Sequence, residues 1–275
     1  MKVARKVFGV VLVAISLPLF SLAESREYIL SNNTRERSNL KREEMMKNEN
    51  LKIANPDDLV FYVQFHLKPE HVEEFKGSLL ELVNEMAKEE TFVSTFLHQD
   101  AEDTNKYTIY ERWRESSMDD FIAKQLKGKE YRKYYEDHIE EWSATTRAIS
   151  VLKPLNQWIS EKVEPSANDL AFYVNFHIKP EKIEAWKKAA LHVLNSMAVE
   201  DTFVGAFLHQ DASDATKFTL YERWGEPSME AFMKNHLNAK DYRQVYEEQL
   251  PEMIQSPRTF TVLKPEGFWT LEESK

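Results

Sequence analysis

Apolar residues alternate with polar or aromatic ones along the stretch LVFYVQFHL, which begins at Leu59. A period of two is typical of a β-strand with one face in a core. Apolar residues then recur at helical spacing between Val72 and Met86, which predicts an amphipathic helix. Two further strands are predicted at 92–99 and 107–113, and the polar turn DAEDTNK joins them.

The next segment predicts helices and then a strand. Ser117 is placed to cap a helix over SMDDFIAKQL, because a serine hydroxyl accepts a hydrogen bond from a free N–H of the first turn. Large apolar residues at helical spacing between Tyr131 and Trp142 predict another helix, and a last strand that ends at VLKP follows it. The order β-α-β-β-α-β predicts a ferredoxin-like α+β unit. Its helices cover one face of the sheet, and the other face needs a partner because it would otherwise expose a large apolar surface.

The whole unit occurs twice in the chain. DLVFYVQFHLKPE at Asp58 returns as DLAFYVNFHIKPE at Asp169, and FLHQDAEDTNKYTIYERW at Phe96 returns as FLHQDASDATKFTLYERW at Phe207. The offset is 111 residues in both cases, with no gap. Solenoid repeats are only about 20–50 residues long. The sequence therefore predicts two complete domains of the same fold.

The ends of the chain differ in character from the two copies. Lys2, Arg5 and Lys6 precede a short apolar run, and Ser21-x-Ala23 has the small residues of a signal-peptidase site. We therefore expect cleavage near Ala23 and a periplasmic or secreted protein without stable membrane insertion, while an uncleaved anchor is the alternative. The predicted division is a signal peptide at 1–23, a charged leader at 24–56, domains at 57–155 and 168–266 with a linker at 156–167, and a tail at 267–275.

Composition and charge argue against several classes of function. The formal net charge is −10 and no basic stripe offsets it, which argues against nucleic acid as a partner. The chain has no cysteine, so neither a disulfide nor a lipid-modified cysteine is expected. The histidines lack H-x-x-x-H and H-E-x-x-H spacing, and neither a glycine-rich phosphate loop nor G-x-S-x-G occurs. We therefore expect no metal site and no flavin or nicotinamide cofactor.

The strings LHQDAEDTNKYTIYERW and LHQDASDATKFTLYERW each follow an FHxKPE strand and a helix. In this they resemble the antibiotic biosynthesis monooxygenase family, which includes quinol monooxygenase-like proteins, and the resemblance covers almost all of both copies. It implies that the two ferredoxin-like units pack as an intramolecular dimeric α+β barrel, so that a monomer contains an internal pseudo-dimer. It also implies a cofactor-independent monooxygenase that acts on a quinol or similar electron-rich aromatic with O₂.

Two histidines occupy the same position in the first strand of each copy, His66 and His177. The ordinary pKa of histidine is about 6.5, so such a side chain can accept the proton of a phenolic substrate. Four candidates for the substrate pocket lie on the same side of these strands: Gln64, Asn175, Tyr62 and Tyr173. The alternative is that these histidines hydrogen-bond across the barrel interior and hold the two sheets in register.

A carboxylate and an indole lie two residues apart in the third strand of each copy. They are Glu111 and Trp113 in the first copy and Glu222 and Trp224 in the second, and each pair faces one side of its strand. A carboxylate against an indole loses hydration, which raises its pKa and suits a general base. The alternative is that the tryptophan packs the core and the glutamate pairs with a neighbour on the sheet.

The shared HQD element supplies another pair of candidates, His98 and His209. Either histidine could line the pocket, or it could anchor the adjacent turn through a backbone carbonyl. Asp100 and Asp211 are expected to accept hydrogen bonds from the backbone of that turn, as aspartates in Asx-turns do.

His236 lies on a predicted helix of the second copy, where the resemblance implies a histidine on the wall of a pocket between helices and sheet. The first copy has Gln125 at this position, and glutamine does not titrate near neutral pH. The copies also differ at Gln64 and Asn175. We therefore predict that any oxygenase activity is carried mainly by the second copy.

Two other functions are compatible with the same scaffold. Relatives of the family include haem-degrading enzymes that use an asparagine, a tryptophan and a histidine, and Asn175, Trp224 and His236 are residues of those types. A fold does not determine a function. The third possibility is a non-enzymatic periplasmic binding or stress-response module.

Overall fold

The computed structural model describes residues 55–115 and 117–270. The predicted signal peptide and nearly all of the charged leader lie outside these residues, as do the last five residues of the tail. Within the described part of the chain, no helix has the length and apolar character needed to cross a membrane.

Each copy has the predicted order of helices and strands. The first contains β1 (Leu59–Leu67), α1 (Val72–Met86), β2 (Phe92–Asp100), β3 (Lys106–Trp113), α2 (Met118–Phe121), α3 (Glu130–Trp142) and β4 (Ser143–Ile159). The second contains β5 (Leu170–Ile178), α4 (Ile183–Met197), β6 (Phe203–Asp211), β7 (Lys217–Trp224), α5 (Met229–Phe232), α6 (Asp241–Met253) and β8 (Ile254–Thr270).

The helix predicted after Ser117 forms, but it changes type within a turn. Ser117 caps α2 by accepting a hydrogen bond of 3.1 Å from the Asp120 amide, as predicted. A π-helical turn, Ile122–Leu126, follows α2, and its counterpart Met233–Leu237 follows α5. Such turns insert an extra residue into a helix and are frequent at functional sites.

The strands close one antiparallel barrel in the order β1-β3-β2-β8-β5-β7-β6-β4. The four strands of one copy meet the four strands of the other at two junctions, where β4 pairs with β6 and β8 pairs with β2. The predicted intramolecular dimeric α+β barrel is therefore confirmed.

The last strand of each copy is longer than predicted, at 17 residues. The predicted end at VLKP was wrong for β4, which pairs with β1 as far as Leu152 and with β6 from Leu152 to Ile159. It therefore enters the segment predicted as a linker. The physical reason is that the edge of β6 presents backbone N–H and C=O groups that need partners, and a strand leaving the neighbouring copy supplies them.

The period of two in β1 separates two hydrophobic cores. Phe61, Val63 and Phe65 pack against the helices of the first copy, whereas Val60 and Tyr62 lie inside the barrel. The barrel interior is built by both copies: the rings of Tyr62 and Tyr173 stack with their centroids 3.5 Å apart. Each sheet face that lacked a partner in a single unit is thus covered by the other copy.

Candidate functional site

A cavity of about 160 Å³ lies between the helices and the sheet of the second copy. Its wall is mostly apolar, with side chains from β5, α4 and α5, including Phe172, Val174, Ala190, Val193 and Phe232. An engineered apolar cavity of about 150 Å³ is large enough to bind benzene. The space therefore matches one aromatic ring.

Local sequence explains why this space exists in the second copy. Ala190 and Val193 lie on the buried face of α4, and the corresponding residues of α1 are the larger Leu79 and Leu82. Trp186 of the second copy is larger than Phe75, its counterpart in the first. Its indole N–H donates a hydrogen bond of 3.0 Å to the Tyr246 hydroxyl, which fixes the position of the ring. Shortening two side chains on one helix face leaves room against the sheet.

Glu222 supplies a carboxylate to the wall of this cavity. Its side chain is buried, and Trp224 Nε1 donates a hydrogen bond of 3.1 Å to Glu222 Oε2. Trp113 donates in the same way to Glu111, at 3.0 Å. Desolvation raises the pKa of Glu111, and the nearby Arg132 charge only partly offsets it. The carboxylate–indole geometry predicted from the spacing of two is therefore present in both copies.

Arg243 supplies the cation of the wall, and sequence reasoning missed it. It is on α6, it is only 6 % exposed, and its guanidinium lies 5.2 Å from the ring centroids of both Trp224 and Phe232. Among the residues that the structure describes, none hydrogen-bonds to Arg243 Nε or Nη2. The available signal was the arginine at the same position in both copies, at Arg132 and Arg243, on the apolar face of an amphipathic helix.

Polar groups at the edge of the cavity are paired with one another. Arg258 donates two hydrogen bonds to the Glu247 carboxylate, both of 2.8 Å. Phe260 lies beside them and is 59 % exposed. Burial raises the pKa of Tyr246 well above that of a free tyrosine, so its hydroxyl stays protonated at neutral pH. Glu222 and Arg243 are therefore the charged side chains of the wall that are placed to interact with a ligand.

His236 lies behind Trp224 and outside the cavity wall, with the two ring centroids 4.5 Å apart. It is in the π-helical turn, where its Nε2 is 2.7 Å from a Glu226 oxygen and its Nδ1 contacts Glu200. Burial alone would raise the pKa of Glu226, but hydrogen bonds from His236, Thr202 and Asn235 outweigh it and lower the pKa. His236 therefore belongs to a buried carboxylate network that supports the wall.

His98 and His209 lie in the barrel interior and connect the copies. His98 shares a hydrogen bond of 3.0 Å with Tyr221, and His209 shares one of 2.9 Å with Tyr110. Burial lowers the pKa of each histidine to about 3, so both are neutral at pH 7. Asp100, at the end of the same strand, accepts hydrogen bonds from two amides of the turn, as predicted.

The remaining candidates are not at the cavity. Gln64 and Asn175 are exposed, and the Asn175 amide donates a hydrogen bond of 3.3 Å to Thr259. His66 is partly exposed and lies 3.9 Å from Asp103, and His177 occupies the equivalent place. Tyr62 and Tyr173 are inside the barrel. The structure thus brings together Glu222 and Trp224 of the predicted residues and adds Arg243.

No group of three or more metal-ligating side chains is arranged to hold a metal ion within residues 55–115 and 117–270.

The fold and the cavity define the class of protein: a dimeric α+β barrel with a ring-sized pocket between helices and sheet. The family model described as "Antibiotic biosynthesis monooxygenase" matches residues 59–142 and 171–248, one match in each copy. The chain belongs to the antibiotic biosynthesis monooxygenase family.

Solved structures show the same fold at low sequence identity. A "putative monooxygenase" from Fusobacterium nucleatum has a TM-score of 0.66 and 17 % identity, over 79 % of this chain and 96 % of that one. One of the same description from Lactobacillus acidophilus has a TM-score of 0.62 and 12 % identity, over 78 % and 97 %. An anthrone oxidase-like protein has a TM-score of 0.59 and 13 % identity, over 82 % and 98 %. No curated protein matches the sequence.

Proposed function

We propose that the second copy carries a cofactor-independent monooxygenase site for a quinol or a similar electron-rich aromatic. The observation that carries the proposal is the ring-sized, mostly apolar cavity with the buried carboxylate of Glu222 in its wall. Trp224 holds that carboxylate by a hydrogen bond of 3.1 Å. The family match and the anthrone oxidase-like neighbour are in line with this chemistry.

The reaction needs a base and a dry pocket. Glu222 accepts the proton of a substrate hydroxyl, and the resulting anion is electron-rich enough to give an electron to O₂. One oxygen atom bonds to a ring carbon and the other leaves as water, so a hydroquinone and O₂ yield a hydroxyquinone and water. The substrate supplies all the electrons. The mostly apolar wall leaves few groups to solvate the anion, which strengthens its electrostatic interaction with the nearby Arg243.

Oxygen uptake with methylhydroquinone as the substrate tests the proposal. In ¹⁸O₂, we expect uptake above the buffer rate and a product that contains one ¹⁸O atom, with the second in water. Release of the consumed oxygen as hydrogen peroxide, detected when catalase returns O₂, would contradict monooxygenation. Uptake no faster than in buffer would support the non-enzymatic binding function instead.

The structure does not favour the haem alternative. Trp224 and His236 are adjacent on the helix side of the sheet. Asn175 is exposed, and it follows Tyr173, which faces the barrel interior, by two residues. Since alternate strand residues share a face, Asn175 is on the opposite side of the sheet from the other two.

We also propose that the reaction takes place outside the cytoplasm. The support is the basic start, the apolar run and the Ser21-x-Ala23 ending of the sequence. The intact mass of the exported protein should correspond to a chain that begins at Glu24. A mass that includes residues 1–23 would contradict cleavage.

A further inference from the structure

A buried guanidinium with free donors is the feature of the cavity that the proposed reaction leaves unexplained. Arg243 is 6 % exposed, and its Nε and Nη2 atoms have no hydrogen-bond partner among the described residues. The same two atoms of Arg132 also lack a partner, and what distinguishes Arg243 is its place in the wall of the cavity. Burying the N–H donors of a charged group without acceptors is costly, because nothing replaces the hydrogen bonds that they made with water. A ligand with a negative charge would complete this site.

The identity of the two free atoms indicates the shape of that ligand. Nε and Nη2 donate along the same edge of a guanidinium, and this edge forms paired hydrogen bonds with the two oxygens of a carboxylate. The guanidinium carbon also lies 5.2 Å from the ring centroids of both Trp224 and Phe232. Two unpaired donors on one edge fit the two oxygens of a carboxylate better than a single phenolate oxygen.

The size of the cavity and the other charged groups in its wall narrow the class of ligand further. Its volume of about 160 Å³ accommodates one ring. Glu247 and Arg258 at its edge neutralise each other through two hydrogen bonds. Glu222 remains as an acceptor for a ring hydroxyl, and Arg243 as the donor to an acid group.

We propose that the second-copy cavity binds a single-ring dihydroxybenzoate, with its carboxylate on the Nε–Nη2 edge of Arg243 and a ring hydroxyl at Glu222. This inference names the substrate class for the proposed monooxygenase site, and it rests on that site. It predicts binding that does not depend on turnover.

Anaerobic calorimetry with two matched ligands tests the inference. Wild-type protein should bind 2,5-dihydroxybenzoate about 10- to 100-fold more tightly than 2,5-dihydroxybenzamide, because charge-assisted paired hydrogen bonds are lost in the amide. Arg243→Met should bind both ligands equally, and Arg243→Lys should keep only part of the preference. Arg132→Met, the matched change in the first copy, should keep the full preference.

Several outcomes would overturn the inference. They are equal binding of acid and amide by wild type, a preference that survives in Arg243→Met, and a preference that Arg132→Met abolishes. Unchanged binding of the amide by Arg243→Met shows that the variant is folded. If Arg243→Met binds neither ligand, the acid-to-amide preference is measured in Arg243→Lys instead. An undiminished preference in Arg243→Lys would contradict paired hydrogen bonds from Nε and Nη2. If the acid preference holds but no oxygen is consumed, the monooxygenase proposal fails while this one stands.

Discussion

The two copies share their helices and strands but differ in how they fill the space between helices and sheet. The second copy has Ala190 and Val193 where the first has Leu79 and Leu82, and a cavity lies beside the shorter pair. Both copies keep the carboxylate–indole pair and the buried arginine. The duplication therefore preserved the framework of the site twice, while one helix face that borders the space between helices and sheet carries shorter side chains in the second copy.

The hydrogen-bonded networks around Glu115 and Glu226 differ between the copies at two neighbouring positions. In the first copy, Gln125 donates to Glu115 at 2.8 Å, and the same carboxylate pairs with Lys124 at 3.1 Å. In the second copy, Asn235 replaces that lysine and His236 replaces the glutamine. A partly exposed cation was thus exchanged for a buried imidazole next to the cavity wall. The sequence contains both replacements, but only the structure shows that the two residues contact the same carboxylate.

Restoring the first copy's residues in the second network should first lower and then recover the stability. His236 contacts two buried carboxylates, Glu200 and Glu226, and the single amide of His236→Gln can donate to only one of them at that geometry, so we expect a loss of about 3 kcal/mol in the free energy of unfolding. Asn235→Lys added to it should recover most of that loss, as the arrangement then copies the first network. Chemical denaturation measures both variants. If His236→Gln is as stable as wild type, or if adding Asn235→Lys recovers no stability, the two positions do not act as one network.

Exchanging the residues that determine the space between helix and sheet should lower stability in the first copy and ligand binding in the second. Leu79→Ala opens a void in a buried core and should cost about 2–5 kcal/mol. Ala190→Leu enters existing space, so its stability should change by less than about 1.5 kcal/mol while ligand binding weakens at least about tenfold. Thermal melting and calorimetry measure the two effects. Undiminished binding by Ala190→Leu would place the ligand elsewhere.

The two buried histidines that the copies share, His98 and His209, should both lower the stability of the protein at acid pH. His98 and His209 have folded pKa values of about 3, below the unfolded value of about 6.5. Their stabilising effect is therefore complete above pH 6.5 and is lost as the pH falls, by about 1.4 kcal/mol per pH unit for each histidine. His98→Gln with His209→Gln should flatten the loss of stability between pH 6.5 and 5, measured by urea denaturation. An unchanged slope would assign acid sensitivity to other groups.

The local pattern predicted most of the fold because strand and helix periods are properties of neighbouring residues. The period of two placed Glu222 and Trp224 on one side of β7. The duplication indicated two domains, and the family resemblance implied the barrel that they form. The extension of β4 to Ile159 depends on the free edge of another copy, which no local pattern contains. Each long last strand was therefore predicted too short.

The site was less predictable because its parts come together only in three dimensions. An arginine on an amphipathic helix ordinarily indicates a solvated position, so the position of Arg243 on the apolar face of α6 was only a weak sign of its burial. The partner of His98 is Tyr221, 123 residues away. The short side chain of Ala190 has a consequence only where it faces the sheet across the cavity.

Oxygen uptake by two matched variants tests the central claim most directly, which is that the second copy alone provides the working base. Glutamine keeps the size of glutamate and an oxygen for the indole N–H, but it cannot take a proton at neutral pH. We expect Glu222→Gln to lower the rate with methylhydroquinone by about 10²–10⁴-fold, and Glu111→Gln to change it by less than about twofold. Equal losses in both variants, or a loss confined to Glu111→Gln, would contradict the account.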